Sequence, residues 1–313
     1  MGFKESFLAK IRLVPNATYM FLMTLLIFAI FSPSFLSLMN LSNIMLQSSM
    51  IIIVALGMTI VMLSNGIDLS VGSVMSLTGV VTGLLLSSES GLVLSILGGI
   101  GAGVLCGAFN GVMIAKVGLA PFIATFGMMG IADGISLFTA GGETLYWEET
   151  TFDVIANGHF LAVPMPVWVI IVIFFIMYLI LYKTPFGINI FALGGNEEGL
   201  RLSGVRIVRN KIGIYILSGI IASFAGIMLA SRIASAHPTG GFGYEFEAIA
   251  ASVIGGTTFF GGRGGIVGSV FGALIITLIR NGLSLLGYTT PWQYCLIGII
   301  LTACVTINTL YTR

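Results

Sequence analysis

The chain carries 12 Asp and Glu and only 2 His among 313 residues. Their spacing sets aside most chemistry. His159 and His237 each stand without a second ligand or a nucleophile nearby in sequence, so neither metal binding nor acid–base catalysis has its parts. No His-Glu-x-x-His and no Gly-x-Ser-x-Gly occurs. Gly261-Gly262-Arg263-Gly264-Gly265 lacks the Lys-Ser/Thr that follows in a phosphate-cradling loop, so the chain is not expected to hydrolyse ATP itself. Cys106, Cys295 and Cys304 lie in apolar segments without ligand spacing and are read as small packing residues. No catalytic residue, metal ligand or cofactor site of the chain's own is expected.

The chemistry that remains is recognition. Residues 183 to 211 form a polar island holding Lys183, Arg201, Arg206, Arg209 and Lys211. Within it, Gly194-Gly195-Asn196-Glu197-Glu198-Gly199-Leu200-Arg201-Leu202-Ser203-Gly204 is punctuated as a very short helix. Asn196 is expected to cap the N-terminus by accepting a backbone N–H bond. Glu197 and Glu198 then sit in the first turn and Arg201 late, each where the helix dipole favours its charge. Gly204 can stop the helix in a left-handed conformation. A capped, charged helix between membrane spans reads as a docking surface.

Four further sites carry charge among apolar residues. Asp68 lies between two spans in Asn65-Gly66-Ile67-Asp68-Leu69-Ser70. It is either a cap for a helix starting at Leu69, with Ser70 and free backbone N–H groups as partners, or a residue of a transport pathway. Asn65 could do either job. Tyr244, Glu245 and Glu247 follow a Gly-rich stretch that the charge count places outside. They are either a gate or partner contact, or a solvated loop with Glu247 near a helix N-terminus. Asp133 and Arg280 sit toward outer span ends, where Arg280 can snorkel to the interface.

The elements that hold these residues are membrane helices. Hydrophobic residues make up 57% of the chain and charged ones 8%, against about 25% charged in soluble domains. The 42 glycines suit close helix packing in lipid. The net charge of +1 says nothing about nucleic acid, but no basic, aromatic-rich stripe that would bind it is present, and no nucleic-acid partner is expected. Apolar segments fall at 17–36, 44–64, 69–87, 92–114, 119–139, 164–182, 209–230, 247–260, 266–286 and 292–311. The eighth is short and glycine-rich, as a re-entrant or broken element would be. No cleavable signal is expected at the N-terminus.

Charge sets the orientation. Lys4, Lys10 and Arg12 hold the N-terminus inside, and ten crossings put Lys116, the island, Arg263 and Arg313 inside as well. The same count puts Glu143, Glu148, Glu149 and Asp153 outside and leaves Arg232 as the exception, at an outer span end. The expectation is an all-α polytopic membrane protein of about ten segments, both termini cytoplasmic, in one domain over 1–313. Its coupling loop is 183–211 and its external loop 140–163. Val71-Gly72-Ser73-Val74 is echoed by Val267-Gly268-Ser269-Val270, a weak hint of an internal repeat. No row of intramembrane charges of the kind ion-driven pumps use is present, which argues against a carrier driven by ions alone.

The order of motifs carries a family resemblance. Residues 57–73 (from Gly57-Met58-Thr59 to Val71-Gly72-Ser73), Pro121–Thr125, Ala192–Glu198 with Leu202-Ser203-Gly204, Gly243–Ala251, Val253–Thr257 and Asn281–Gly287 together resemble the permease subunits of ribose-type ABC importers. That branch moves ribose, xylose, arabinose, galactose and related polyols. The resemblance implies a homodimer or close heterodimer of permeases in the bacterial inner membrane. It also implies a cytoplasmic ATPase subunit that uses ATP and Mg, an extracytoplasmic sugar-binding protein, and docking of the island helix in a groove of the ATPase. The chain departs from the pattern at Asp133, where the family usually has a basic residue, and in the loop 140–163. A stand-alone secondary carrier or channel is the rival reading, and an intramembrane enzyme a distant third.

Overall fold

The computed structural model describes residues 16–147, 152–161 and 163–312. Lys4, Lys10, Arg12, Glu148, Glu149 and Arg313, used above for orientation, lie outside the described residues. The described chain is helical throughout, apart from short links and two tiny ladders. The helices are α1 (Asn16–Phe31), α2 (Leu38–Leu63), α3 (Val71–Ser87), α4 (Leu92–Val112, continued by a π turn Met113–Val117) and α5 (Pro121–Thr139). Then come α6 (Val154–Asn157), α7 (Met165–Lys183), α8 (Pro185–Leu202), α9 (Ile207–Ile233), α10 (Tyr244–Ile254), α11 (Ile266–Leu285) and α12 (Thr290–Thr312). The ladders are antiparallel: β1 (Leu145–Tyr146) with β4 (Ser235–Ala236), and β2 (His159–Phe160) with β3 (Val163–Pro164).

Six helices among the described residues are long and apolar enough to cross a membrane: α2, α4 with its π turn, α5, α7, α9 and α11. α1 and α3 are shorter apolar helices. The protein is thus an all-α polytopic membrane protein. The eighth expected span is different. α10 has 11 residues, which reach about 16 Å at 1.5 Å per residue, half a hydrocarbon core. A glycine-rich loop, 255–265, follows it.

α2 is the hub. Every residue from Ser48 to Leu63 is buried, which fits a sequence apolar on all sides. The tightest seam joins α4 to α9. Gly99, Gly103, Gly107 and Gly111 recur every fourth residue along one face of α4. A Cβ on Gly107 would lie 2.9 Å from Ile216 Cα, and one on Gly111 2.7 Å from Ile212 Cα. Backbones meet there directly, the close approach that small residues allow where lipid gives no hydrophobic drive.

At one end of the bundle residues 152–157 pack on the last turn of α9. Phe152 is buried, edge-on to Trp147, and its carbonyl accepts from the Ser231 hydroxyl at 2.7 Å. The Ala156 N–H donates to that hydroxyl at 3.1 Å. α8 lies at the opposite end.

Candidate functional site: a docking segment and two buried carboxylate centres

The island folds as a longer helix than expected, with the predicted helix as its second half. Thr184 caps α8 by accepting from the Gly187 N–H at 3.3 Å, and Pro185 occupies the first turn. At Asn196 the backbone turns extended (φ −159, ψ 90), and the helix resumes at a kink. The Asn196 side-chain oxygen accepts the Gly199 N–H at 2.8 Å, the cap read from sequence. Glu198 pairs with Arg201 at 2.6 Å, and Glu197 reaches Lys211 on α9 at 2.7 Å. The hydrogen bond that Arg201 donates to Glu198 raises the Arg201 pKa. Ser203 ends the helix, and Gly204 follows at φ 80. Leu202 is 81% exposed, an apolar residue presented on a charged helix.

Glycines join α8 to the bundle. Gly195 is open, but a Cβ on Gly194 would strike the Leu63 carbonyl oxygen and the Gly262 nitrogen. The Gly262 N–H donates to that Leu63 oxygen at 2.9 Å. Asn65, left-handed at φ 63, lies against Gly261, whose Cβ would sit 2.9 Å from the Asn65 nitrogen. The end of α2, the kink region of α8 and the loop 255–265 therefore meet backbone to backbone. Arg263, the island and Lys116 all lie at this end, as the charge pattern requires.

Asp68 is a tie between elements. It is 2% exposed. One oxygen accepts from the Ser70 N–H at 3.0 Å and from its hydroxyl at 2.6 Å; the other accepts from the Ser218 hydroxyl on α9 at 2.8 Å. The Asn110 amide on α4 donates to Ser70 Oγ at 2.9 Å, and the Leu69 N–H donates to Thr125 on α5 at 3.1 Å. The cap reading of Asp68 is corrected in part: α3 begins at Val71, not Leu69, and Asp68 accepts the N–H of the residue before the helix. Its other oxygen serves the tertiary bond to α9, which sequence spacing could not reveal.

Glu245 and Glu247 are not a solvated loop. They are 1% and 3% exposed, in the first turn of α10. The segment 237–243 leaves β4 and descends between α3 and α5. The Ser136 hydroxyl donates to the Pro238 carbonyl at 3.0 Å, and the Gly241 N–H to Ser76 Oγ at 2.8 Å. The Gly243 N–H, at φ 92, donates to both Glu245 oxygens, 3.2 and 3.1 Å away. Gly72 in α3 has no room for a Cβ because Glu245 and the Gly241 carbonyl occupy it. The N-termini of α3 and α10 thus approach each other, with the Asp68 and Glu245 carboxylates at their positive ends. Glu247 ion-pairs with Arg280 of α11, which ties the half-buried Arg280 to the buried start of α10. The available signal was charge balance: one arginine inside α11 needs a carboxylate, and only a few lie among apolar residues. Among the described residues no group of three His, Cys, Asp or Glu side chains could hold a metal ion.

The described chain is thus a bundle of apolar helices with a kinked, charged helix exposed at one end and two carboxylate centres buried within. The chain belongs to the family described as branched-chain amino acid transport system / permease component, which it matches over residues 40–305. It is 41% identical over 281 residues to the ribose import permease protein RbsC of Escherichia coli (strain K12), covering 88% of each chain. RbsC of Bacillus subtilis (strain 168) is 39% identical over 285 residues, 90% of this chain and 88% of that protein. The galactose/methyl galactoside import permease protein MglC of Escherichia coli (strain K12) is 39% identical over 334 residues, 99% and 98% of the two chains. No solved structure matches. The protein is a permease subunit, and not an enzyme.

Proposed function

We propose that the chain is the membrane-spanning subunit of an ATP-driven importer for a monosaccharide or related polyol. The relatives named for ribose and galactose import cover nearly the whole chain and favour a sugar over an amino acid. The single observation that carries the mechanism is α8. Its capped, charged and exposed second half is wedged through Gly194 against the break between α2 and α3. A cytoplasmic ATPase subunit docks on 196–203, using Glu198, Arg201 and Leu202 as surface contacts. ATP and Mg are bound by that partner. When paired ATPases close, they push α8, and the Gly194–Leu63–Gly262 junction passes the push to Asn65 and the Asp68 centre.

Ten passages follow from this reading: α1, α2, α3, α4, α5, α7, α9, the segment 235–254, α11 and α12. Both termini are cytoplasmic, in a bacterial inner membrane. An extracytoplasmic binding protein delivers the sugar on the side of the 140–163 loop. A second permease copy completes the transporter. Asn65, Asp68, Ser70, Tyr244, Glu245 and Glu247 belong to the moving core around the pathway.

The test is reconstitution. Liposomes carrying this chain alone take up no sugar. Adding the ATPase subunit and the binding protein restores ATP-dependent uptake. In the same system Glu198→Arg reverses a surface charge. It leaves membrane levels normal, weakens co-purification with the ATPase and abolishes the stimulation of ATP hydrolysis by loaded binding protein. Full transport by Glu198→Arg overturns the docking assignment, and sugar flux driven by a proton or sodium gradient overturns the importer.

A further inference from the structure

Beside the Glu247–Arg280 pair lies a cavity of about 280 Å³, enclosed by α2, α9, α10, α11 and the start of α12. Its walls include Gln47, Arg232, Thr277, Arg280, Asn281 and Gln293, an unusually polar set for a chain with 8% charged residues. Arg232 ends α9 at the same end of the bundle as the 140–163 loop, so the cavity opens there. Thr277 lies two turns before the end of α11, about 12 Å down at 1.5 Å per residue. This accounts for Arg232, which the charge rule leaves on the outer side: it borders a polar space instead of lipid.

The wall chemistry selects a class of ligand. Arg280 is neutralised by Glu247 behind it. Among the described residues, the Gln47 amide and the Arg232 guanidinium have no hydrogen-bond partner, while Asn281 is held by reciprocal 2.9 Å bonds to Asn40. Gln293 donates its N–H to the Tyr288 carbonyl at 3.2 Å, which leaves its carbonyl oxygen to accept. Tyr244 adds an aromatic ring. Amides that both donate and accept, beside one ring, the paired Arg280 and the Arg232 guanidinium, which can donate to hydroxyl oxygens, suit a ligand rich in hydroxyls. The volume lies at the small end of ligand pockets, which run from about 300 Å³, and suits one monosaccharide unit.

We propose that this outer cavity is a low-affinity station for the transported sugar within each permease subunit, between release by the binding protein and passage through the core. Tyr244 and Arg280 belong to its wall, with Glu247 paired to Arg280 behind it. The inference rests on the sugar-importer reading and names a site for that cargo.

The experiment uses the assembled transporter in nanodiscs without binding protein. Native cysteines are replaced, and Ser284→Cys at the cavity rim reports access to a hydrophilic thiol reagent. Ribose, xylose, arabinose, galactose and inorganic phosphate are the probes at tens of millimolar, with trimethylglycine as the osmolyte control. We expect rapid labelling, slowed several-fold by whichever sugar the complete system imports, and not by phosphate or trimethylglycine. Gln47→Leu should remove that protection while leaving labelling without sugar unchanged. Labelling that no sugar slows overturns the station, as does protection by phosphate or an absence of labelling. Failure of the importer reading is a separate outcome: none of the sugars is taken up even with both partners present.

Discussion

At the scale of single residues, the interior charge pair is the sharpest test of packing. Arg280→Ala leaves Glu247 buried without its partner, a change that costs about 3–5 kcal/mol in buried pairs. The detergent-solubilised variant should melt well below the parent protein, and Arg280→Ala with Glu247→Ala should recover much of the loss. Equal melting of the single and double variants would show that the pair is not what holds α10 to α11. Asn196→Ala removes a local cap worth about 1 kcal/mol and should weaken ATPase co-purification without lowering membrane levels. These two sites also mark what was legible in the sequence. The Asn196 cap spans three residues, so spacing alone gives it. Glu247 and Arg280 are 33 residues apart and meet only through the packing of α10 on α11. Asp68 falls between the two cases: its bond to Ser70 is local, and its bond to Ser218 is not.

At the scale of elements, the helix seam between α4 and α9 predicts a contrast between glycines of one helix. Gly107→Val drives a side chain into the Tyr215 carbonyl and the Ile216 backbone, whereas Gly101 faces open space. Gly107→Val should lower membrane levels and melting temperature, and Gly101→Val should change neither. Similar loss from both would mean that general helix effects, not the seam, are being read. Hydropathy located the apolar helices because lipid demands long apolar runs, and the brevity of α10 was visible in Gly255 and Gly256, which close it. The first half of α8 was not anticipated. Pro185 to Leu193 follows a basic span end and reads as part of a polar loop, and its place in the bundle comes from tertiary packing, with Gly187, Ile190 and Leu193 buried.

For the whole molecule, the prediction is sidedness. With native cysteines replaced, Glu143→Cys should react with an impermeant thiol reagent in intact cells, while Glu198→Cys and Arg263→Cys should not. Glu198 and Arg263 share one end of the bundle through the Gly194–Gly262 contact, so they should label alike. Reversal of all three would invert the orientation. Outside labelling of Arg263→Cys alone would mean that the segment 235–254 does not cross. Charge gave the expectation of ten passages, but not the extended course of 237–243 ahead of the short α10. An extended stretch followed by half a helix is stable only where α3, α5 and α11 supply its hydrogen-bond and charge partners.

That half-helix constrains how the protein is made. α10 is only 11 residues long and carries Glu245 and Glu247 in its first turn. Charged residues cost about 2.5–3.5 kcal/mol each at the centre of an inserting helix, so the translocon has little reason to release this segment into lipid. The partners that make it acceptable sit on helices both earlier and later in the chain, with Arg280 the last to emerge. Biogenesis therefore has an order. On the ten-passage reading, α9 and α11 are expected to thread with the segment between them still at the outer surface or in the channel, and α10 to sink into place only after Arg280 has been synthesised. A nascent chain stalled before α11 should expose residues 244–254 to protease, and one stalled after α12 should protect them.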